Sequence, residues 1–329
     1  MKIITLFSLP FIYVITALAG GQTAQQKVAG PVYELTDLKG IKFAGNLKDW
    51  RGDPVDSLQL DMYYPTGATS DKKYPLLLFC HAGGFTGGNR FNVMAICDRF
   101  ADSGFIAVGF DYRVGYKKGD TRNCEADTTT QNNAIYRAVQ DTKACLRFLM
   151  AHASDYNIDT SKVFIGGSSA GAVLALNTSY TNDSIAKRYW PGSFQTLGSV
   201  EKSGNNLTNT YNLKGIVSMW GAVKDDDMID TNYRAYPTIL FRGDEDEGIP
   251  DSFGHYATCL NYPTVFGATG IYTRLRALNV PAVYHLLSLG NHSAYDDQFC
   301  VQQSVCFLRA IMEGRAYSGQ FTSYIPSCQ

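Results

Sequence analysis

Residues 162–176 read KVFIGGSSAGAVLAL. A short apolar run of strand formers passes through glycines and serines straight into helix formers, with no loop between them. A chain that turns from strand to helix in so few residues points to an alternating α/β arrangement. The serines lie on the turn itself. In Gly167-Ser168-Ser169-Ala170-Gly171 only Ser169 stands in the Gly-x-Ser-x-Gly register, because Ser168 would need a glycine where Ala170 stands. Such a turn exposes a serine hydroxyl, and the helix amino end beside it offers N–H groups and a positive dipole to developing negative charge.

The rest of the chain repeats the alternation. Strands are expected at 32–45, 57–65, 74–80, 105–113, 162–167, 213–221, 236–244 and 281–290. Helices are expected at 92–104, 133–152, 169–180, 270–279 and 299–314. The run YPLLLFC at 74–80 is apolar throughout, as a strand covered on both faces must be. The fold class is therefore α/β: a mostly parallel central sheet of about eight strands flanked by helices, with the first strands as an antiparallel edge. The connection 221–237 is too short for a large cap domain. The polar segment 181–212 leaves the far end of a helix, so it is expected as surface decoration away from the crevice where ligands bind.

A serine hydroxyl is a poor nucleophile until a base takes its proton and an acid orients that base. Of five histidines, His292 follows the last expected strand, at the same sheet edge as Ser169. His285 lies within that strand as a packing residue, and His152 ends a helix. His255 lies in a loop and is a candidate pocket residue. The acid is expected in LFRGDEDEGIP, where Asp244, Glu245, Asp246 and Glu247 are candidates. Chain order allows both Asp246 and Asp244. A donor pair for an oxyanion is available in LFCHAGGF, where the amides of Gly83 and Gly84 join that of Ala170. His81 is expected to brace this loop.

These motifs resemble the carboxylesterase and hormone-sensitive-lipase-like branch of the α/β-hydrolases, with feruloyl and acetylxylan esterases among its kind. HAGGF is similar to the family's His-Gly-Gly-Gly-Phe element, GGSSAGA to its elbow, VGFDYR to its strand-four ending and GNHS to its Gly-x-His ending. GDEDEGIP resembles the acid loop Gly-x-x-Asp-x-x-Val-Pro, and that resemblance selects Asp246. The likeness runs from about residue 33 to 315. It implies a Ser169-His292-Asp246 triad, an oxyanion hole of Gly83, Gly84 and Ala170, acyl transfer to water, and no metal or organic cofactor. Two departures are Ala82 where the family has glycine, and Ser168 where a charged residue or histidine is commoner. Phe85, Tyr112, Tyr116, Trp220, Tyr262 and Tyr295 are candidates for an aromatic cleft, with Phe85, Tyr112, Trp220 and Tyr295 taken as substrate-binding. Lipases, polyesterases and prolyl-oligopeptidase-like peptidases share the triad order. A non-enzymatic hydrolase-fold interaction protein would show a damaged triad.

Residues 1–19 combine one lysine, an apolar run and small residues at Ala17 and Ala19, the pattern of a secretory signal peptide. A single catalytic domain over 20–329 is then expected, secreted or periplasmic and without a membrane anchor. A formal net charge of −1 and the lack of a basic run argue against nucleic acid as a partner. Export makes disulfides available to the eight cysteines. Cys80 and Cys145 sit in apolar runs as buried thiols, whereas Cys97, Cys124, Cys259, Cys300, Cys306 and Cys328 are bridge candidates. Asn177, Asn182, Asn206 and Asn291 begin glycosylation sequons.

Overall fold

The computed structural model describes residues 32–328, and residues from Tyr33 onward pack as one unit. The expected signal peptide at 1–19 lies outside the described residues. The first half contains β1 (Leu38–Lys48), β2 (Pro54–Tyr63), β3 (Tyr74–Cys80), α1 (Met94–Asp102), β4 (Ile106–Phe110), α2 (Thr128–Ala151), β5 (Ile158–Ser168) and α3 (Ala170–Tyr180). Next come α4 (Asp183–Tyr189), α5 (Pro191–Leu197), β6 (Leu213–Met219), β7 (Thr238–Gly243), β8 (Phe253–His255) and β9 (Thr264–Phe266). The chain ends with α6 (Ala268–Ala277), β10 (Ala282–Leu287), α7 (Asp297–Met312) and β11 (Gly319–Thr322).

One sheet runs in the order β1-β2-β4-β3-β5-β6-β7-β10-β11. The β1-β2 and β2-β4 pairings are antiparallel, and every later pairing is parallel. Its nine strands exceed the expected eight by β11, a short and half-polar edge strand against β10. The hairpin β8-β9 stands apart from the main sheet.

Alternation within the buried strands explains the apolar runs. Leu76, Leu78 and Cys80 of β3 face the layer of α2, α3 and α6, while Leu77 and Phe79 face α1 and α7. Helix α3 is buried along its whole length, as its unbroken apolar sequence requires. Past β4, the Arg113 guanidinium pairs with Asp141 on α2 at 2.8 Å, and the Arg113 amide donates to the same carboxylate at 2.8 Å. Both residues are buried, so the pair ties the loop after β4 to α2.

One expectation changes and another is extended. Helix α2 starts at Thr128 rather than Asn133, because the Asp127 carboxylate accepts from the Thr130 amide at 2.7 Å and caps it. Segment 181–212 stays out of the cavity beside Ser169, as expected of surface decoration, but it also packs as a cover over the polar side of α2. Tyr136 donates to the Gly198 carbonyl at 2.7 Å, Gln140 to that of Leu197 at 2.9 Å, and buried Lys143 meets Glu201 at 3.0 Å.

Two bridges form, Cys124–Cys259 and Cys306–Cys328. Cys97 and Cys300, expected as bridge candidates, are buried free thiols like Cys80 and Cys145. They point into the layer between α1, α7 and the sheet, and burial pushes both thiols up. Of the sequons, Asn177 is buried, with its carboxamide bonded to the Val173 and Ala222 carbonyls and the Lys224 amide, so no glycan fits there.

His285 packs as expected, stacked on Phe241 and Phe321 with neither ring nitrogen partnered. Burial lowers its pKa from 6.5 to about 4. The unfolded chain binds this proton below pH 6.5 and the folded chain only near pH 4. Its contribution is therefore complete above pH 6.5 and lost progressively toward pH 4. At about pH 5 this costs about 2 kcal/mol. His285→Phe is expected to raise the melting temperature relative to wild type by about 4 °C more at about pH 5 than at about pH 8. An equal effect at both values would assign His285 no part in acid sensitivity.

Candidate active site

The turn between β5 and α3 holds Ser169 at φ 53, ψ −122, a conformation that costs a non-glycine residue on the order of 1–3 kcal/mol. Two contacts impose it. The Ser169 amide donates to the Met219 carbonyl of β6 at 2.9 Å. A Cβ added at Gly171 would lie 2.1 Å from the Cys80 carbonyl oxygen, so α3 starts hard against the end of β3. The turn lifts the Ser169 hydroxyl clear of the sheet edge.

His292 reaches it from the loop after β10. The Ser169 Oγ lies 2.7 Å from Nε2 of His292, and Nδ1 of the same ring lies 2.9 Å from Oδ2 of Asp246. With Nδ1–H donating to the carboxylate, Nε2 is the lone-pair nitrogen that faces the hydroxyl. Asp246 is buried, while Asp244, Glu245 and Glu247 are exposed. Its other oxygen accepts from the Gly248 and Ile249 amides at 2.8 and 3.1 Å. Burial raises the Asp246 pKa, but the His292 hydrogen bond and charge and the two amides outweigh it and hold the carboxyl below its usual range. Buried Arg242 secures the loop by donating to the Ile249 carbonyl at 2.6 Å and pairing with Asp251 at 3.1 Å.

The loop after β3 faces the hydroxyl from the other side. Gly83 and Gly84 have φ of 124 and 59, and Phe85 follows at 59. Gly84, Phe85 and Ala170 line the cavity beside Ser169. Gly83 stands one residue behind, its carbonyl closing the turn on the Thr86 and Gly87 amides at 3.0 and 3.2 Å. Because Ser169 is the N-cap of α3, the Ala170 amide has no acceptor within the helix. His81 sits beneath this loop, its Nδ1 2.7 Å from the Ala82 carbonyl and its ring stacked on Tyr112 at 3.9 Å. Burial lowers its pKa to about 4, so it stays neutral there as a brace.

The cavity measures about 180 Å³. Phe85, Tyr116 and Tyr262 line it. Contrary to expectation, Tyr112, Trp220 and Tyr295 do not. Tyr112 is committed to His81 and donates to its carbonyl at 2.7 Å. Trp220 packs edge-on to the His292 ring at 6.4 Å, and Tyr295 joins the aromatic group around Phe241. His255 is bonded to the Tyr262 carbonyl at 2.7 Å and is not part of the lining. Sequence reading missed Gln131 and Ile135 on α2, Val173 on α3 and Ile249 and Tyr256 beyond β7. The cysteines carried the available signal. Cys124 bonds to Cys259 and draws the segment before α2 onto the 256–262 segment, where the Tyr262 hydroxyl also accepts from the Ala126 amide at 3.2 Å.

A family pattern described as BD-FAE matches residues 60–235, just over half of the chain. Gut esterase 1 of Caenorhabditis briggsae is 31% identical over 189 residues, covering 54% of this chain and 32% of that protein. The cAMP-regulated D2 protein of Dictyostelium discoideum is 34% identical over 64 residues, covering 20% of this chain and 12% of its own. The chain thus spans a third or less of the length of these curated relatives. A truncated carbohydrate esterase from gut microbiota superposes with a TM-score of 0.55 at 15% identity, over 85% of this chain and 97% of its own. Esterase 2 of Thermogutta terrifontis phosphorylated by paraoxon gives 0.55 at 16%, over 87% and 98%. At such identities the likeness is one of fold, the α/β-hydrolase fold.

Replacing Cys124 and Cys259 together by serine is expected to lower unfolding free energy by about 2–4 kcal/mol and to speed amide exchange across 256–262. An unchanged exchange pattern would show that the bridge does not hold this wall.

Proposed function

The chain belongs to the BD-FAE family of α/β-hydrolase esterases, and on that footing we propose that it is a serine esterase opening carboxylic esters through an acyl-enzyme on Ser169. The observation that carries this reading is the unbroken line from the Ser169 hydroxyl through His292 to Asp246, at 2.7 and 2.9 Å.

Ser169 Oγ attacks the ester carbonyl as His292 Nε2 takes its proton, and the carbonyl oxygen becomes an oxyanion. The amides of Gly84 and Ala170, with Gly83 behind them, receive that charge, each such donor supplying about 3 kcal/mol in sites of this kind. His292 then protonates the departing alcohol. Water repeats the sequence on the acyl-enzyme and frees the acid. Asp246 remains a carboxylate throughout, fixing the imidazole tautomer and stabilising the imidazolium that forms. None of these steps draws on a cofactor.

The cavity suits a short or compact acyl group, and no cap closes over it among the described residues, so a bulky alcohol part can stay outside. That supports acylated polysaccharide or other bulky esters as substrates. The carbohydrate esterase of like fold is consistent with the same direction. Both disulfides, and residues 1–19 as a signal peptide, support a secreted or periplasmic protein. No helix among the described residues is long and apolar enough to cross a membrane.

On p-nitrophenyl acetate and butyrate, Ser169→Ala is expected to lower kcat by about 10⁶-fold with the circular dichroism spectrum unchanged. Asp246→Asn should lower it by about 10⁴-fold. Full turnover by either variant would contradict the assignment. Short esters should be preferred over palmitate, and acid should be released from acylated xylan; a preference for palmitate would contradict the compact acyl site.

A further inference from the structure

Apart from the tyrosines, the cavity beside Ser169 contains one polar side chain that the mechanism above does not use. Gln131 lies in the first turn of α2, one helical turn before Ile135, and both line the cavity with Ser169 and His292. It is 8% exposed. Its Oε1 is buried and without a hydrogen-bond partner. A buried carboxamide oxygen left unpaired is a penalty the fold could have avoided by placing leucine at this position. An orphan polar group of this kind in a binding cavity marks a place where a ligand completes the pairing.

The lining defines what that ligand carries. No acidic or basic side chain other than His292 faces the cavity; the remaining walls are aromatic and aliphatic, with Phe85, Tyr116, Ile135, Val173 and Tyr256 among them. A charged group would be desolvated there without a counter-ion. The buried acceptor requires a donor, and the adjacent amide nitrogen requires an acceptor. A neutral hydroxyl supplies both, whichever way the carboxamide is turned. His292 must reach the leaving oxygen, so the alcohol lies on the histidine side and the acyl group faces the wall built by α2 and the first turn of α3.

We propose that Gln131 is a specificity-determining residue that hydrogen-bonds a hydroxyl on the acyl group, so that the cavity selects hydroxylated acyl esters over their deoxy counterparts. The inference rests on the esterase reading and on the acyl group occupying this cavity. Two matched pairs of p-nitrophenyl esters test it: butyrate against beta-hydroxybutyrate, and phenylpropionate against para-hydroxyphenylpropionate. In the wild-type enzyme, at least one hydroxylated ester should exceed its partner in kcat/KM by about tenfold, the value of one hydrogen bond to an otherwise unpaired group. In Gln131→Leu that ratio should fall to about one, while thermal stability is equal or higher because an unpaired buried amide has been removed. A wild-type ratio near one for both pairs would overturn the inference while leaving the esterase reading intact, and so would a ratio that survives in Gln131→Leu. A loss of stability in the variant would assign Gln131 a structural role instead. Failure of the wild-type enzyme to hydrolyse any of the four esters would count against the Ser169 reading itself.

Discussion

The left-handed backbone of Ser169 is the constraint on which the rest of the site depends. At φ 53, ψ −122 this residue is strained, and the strain must be offset elsewhere. Its surroundings show the source. Helix α3 is buried along all eleven residues, and β5 is flanked by β3 and β6. The helix can begin at Ala170 only if Gly171 lets it touch the end of β3. Burial of the helix therefore forces the turn, and the turn fixes where a hydroxyl and a free helix amide meet. Trp220 at φ 47 and Phe85 at φ 59 are further strained positions beside it.

Charge at the site is confined in a similar way. Asp246 is the sole buried member of four acidic candidates in its loop, and it is fully matched by the His292 ring and two amides. Arg242 fixes the loop through the Ile249 carbonyl and Asp251. The two interior histidines, His81 and His285, are held neutral by burial. His292, half-buried between serine and carboxylate, is the histidine that the proposed mechanism uses to exchange a proton with a substrate.

Much of this was legible from residues alone, for identifiable reasons. The run 74–80 has the bounds that β3 shows, because its residues are apolar on both faces. Glycine register singles out Ser169 over Ser168, and at Gly171 a Cβ would clash with the end of β3. What was not legible depends on tertiary cover. Gln140, Lys143 and Arg147 look like the wet side of α2, yet segment 181–212 buries them. The start of α2 was missed because Thr128, Thr129 and Thr130 are poor helix formers and only the Asp127 cap compensates. The free state of Cys97 and Cys300 is not legible, because the sequence does not show which helix face meets the sheet. Gln131 was invisible for a simpler reason: nothing in a sequence marks a carboxamide that has no partner.

The central claim, that one strained serine is the nucleophile, is tested most directly by reacting the folded protein with a fluorophosphonate and locating the adduct by peptide mass spectrometry. The account predicts stoichiometric labelling of the peptide containing residues 162–176, with fragmentation placing the added mass on Ser169 and heat-denatured protein left unlabelled. An adduct on Ser168 or on any serine outside this turn, or hydrolysis that persists in protein fully labelled at Ser169, would contradict it.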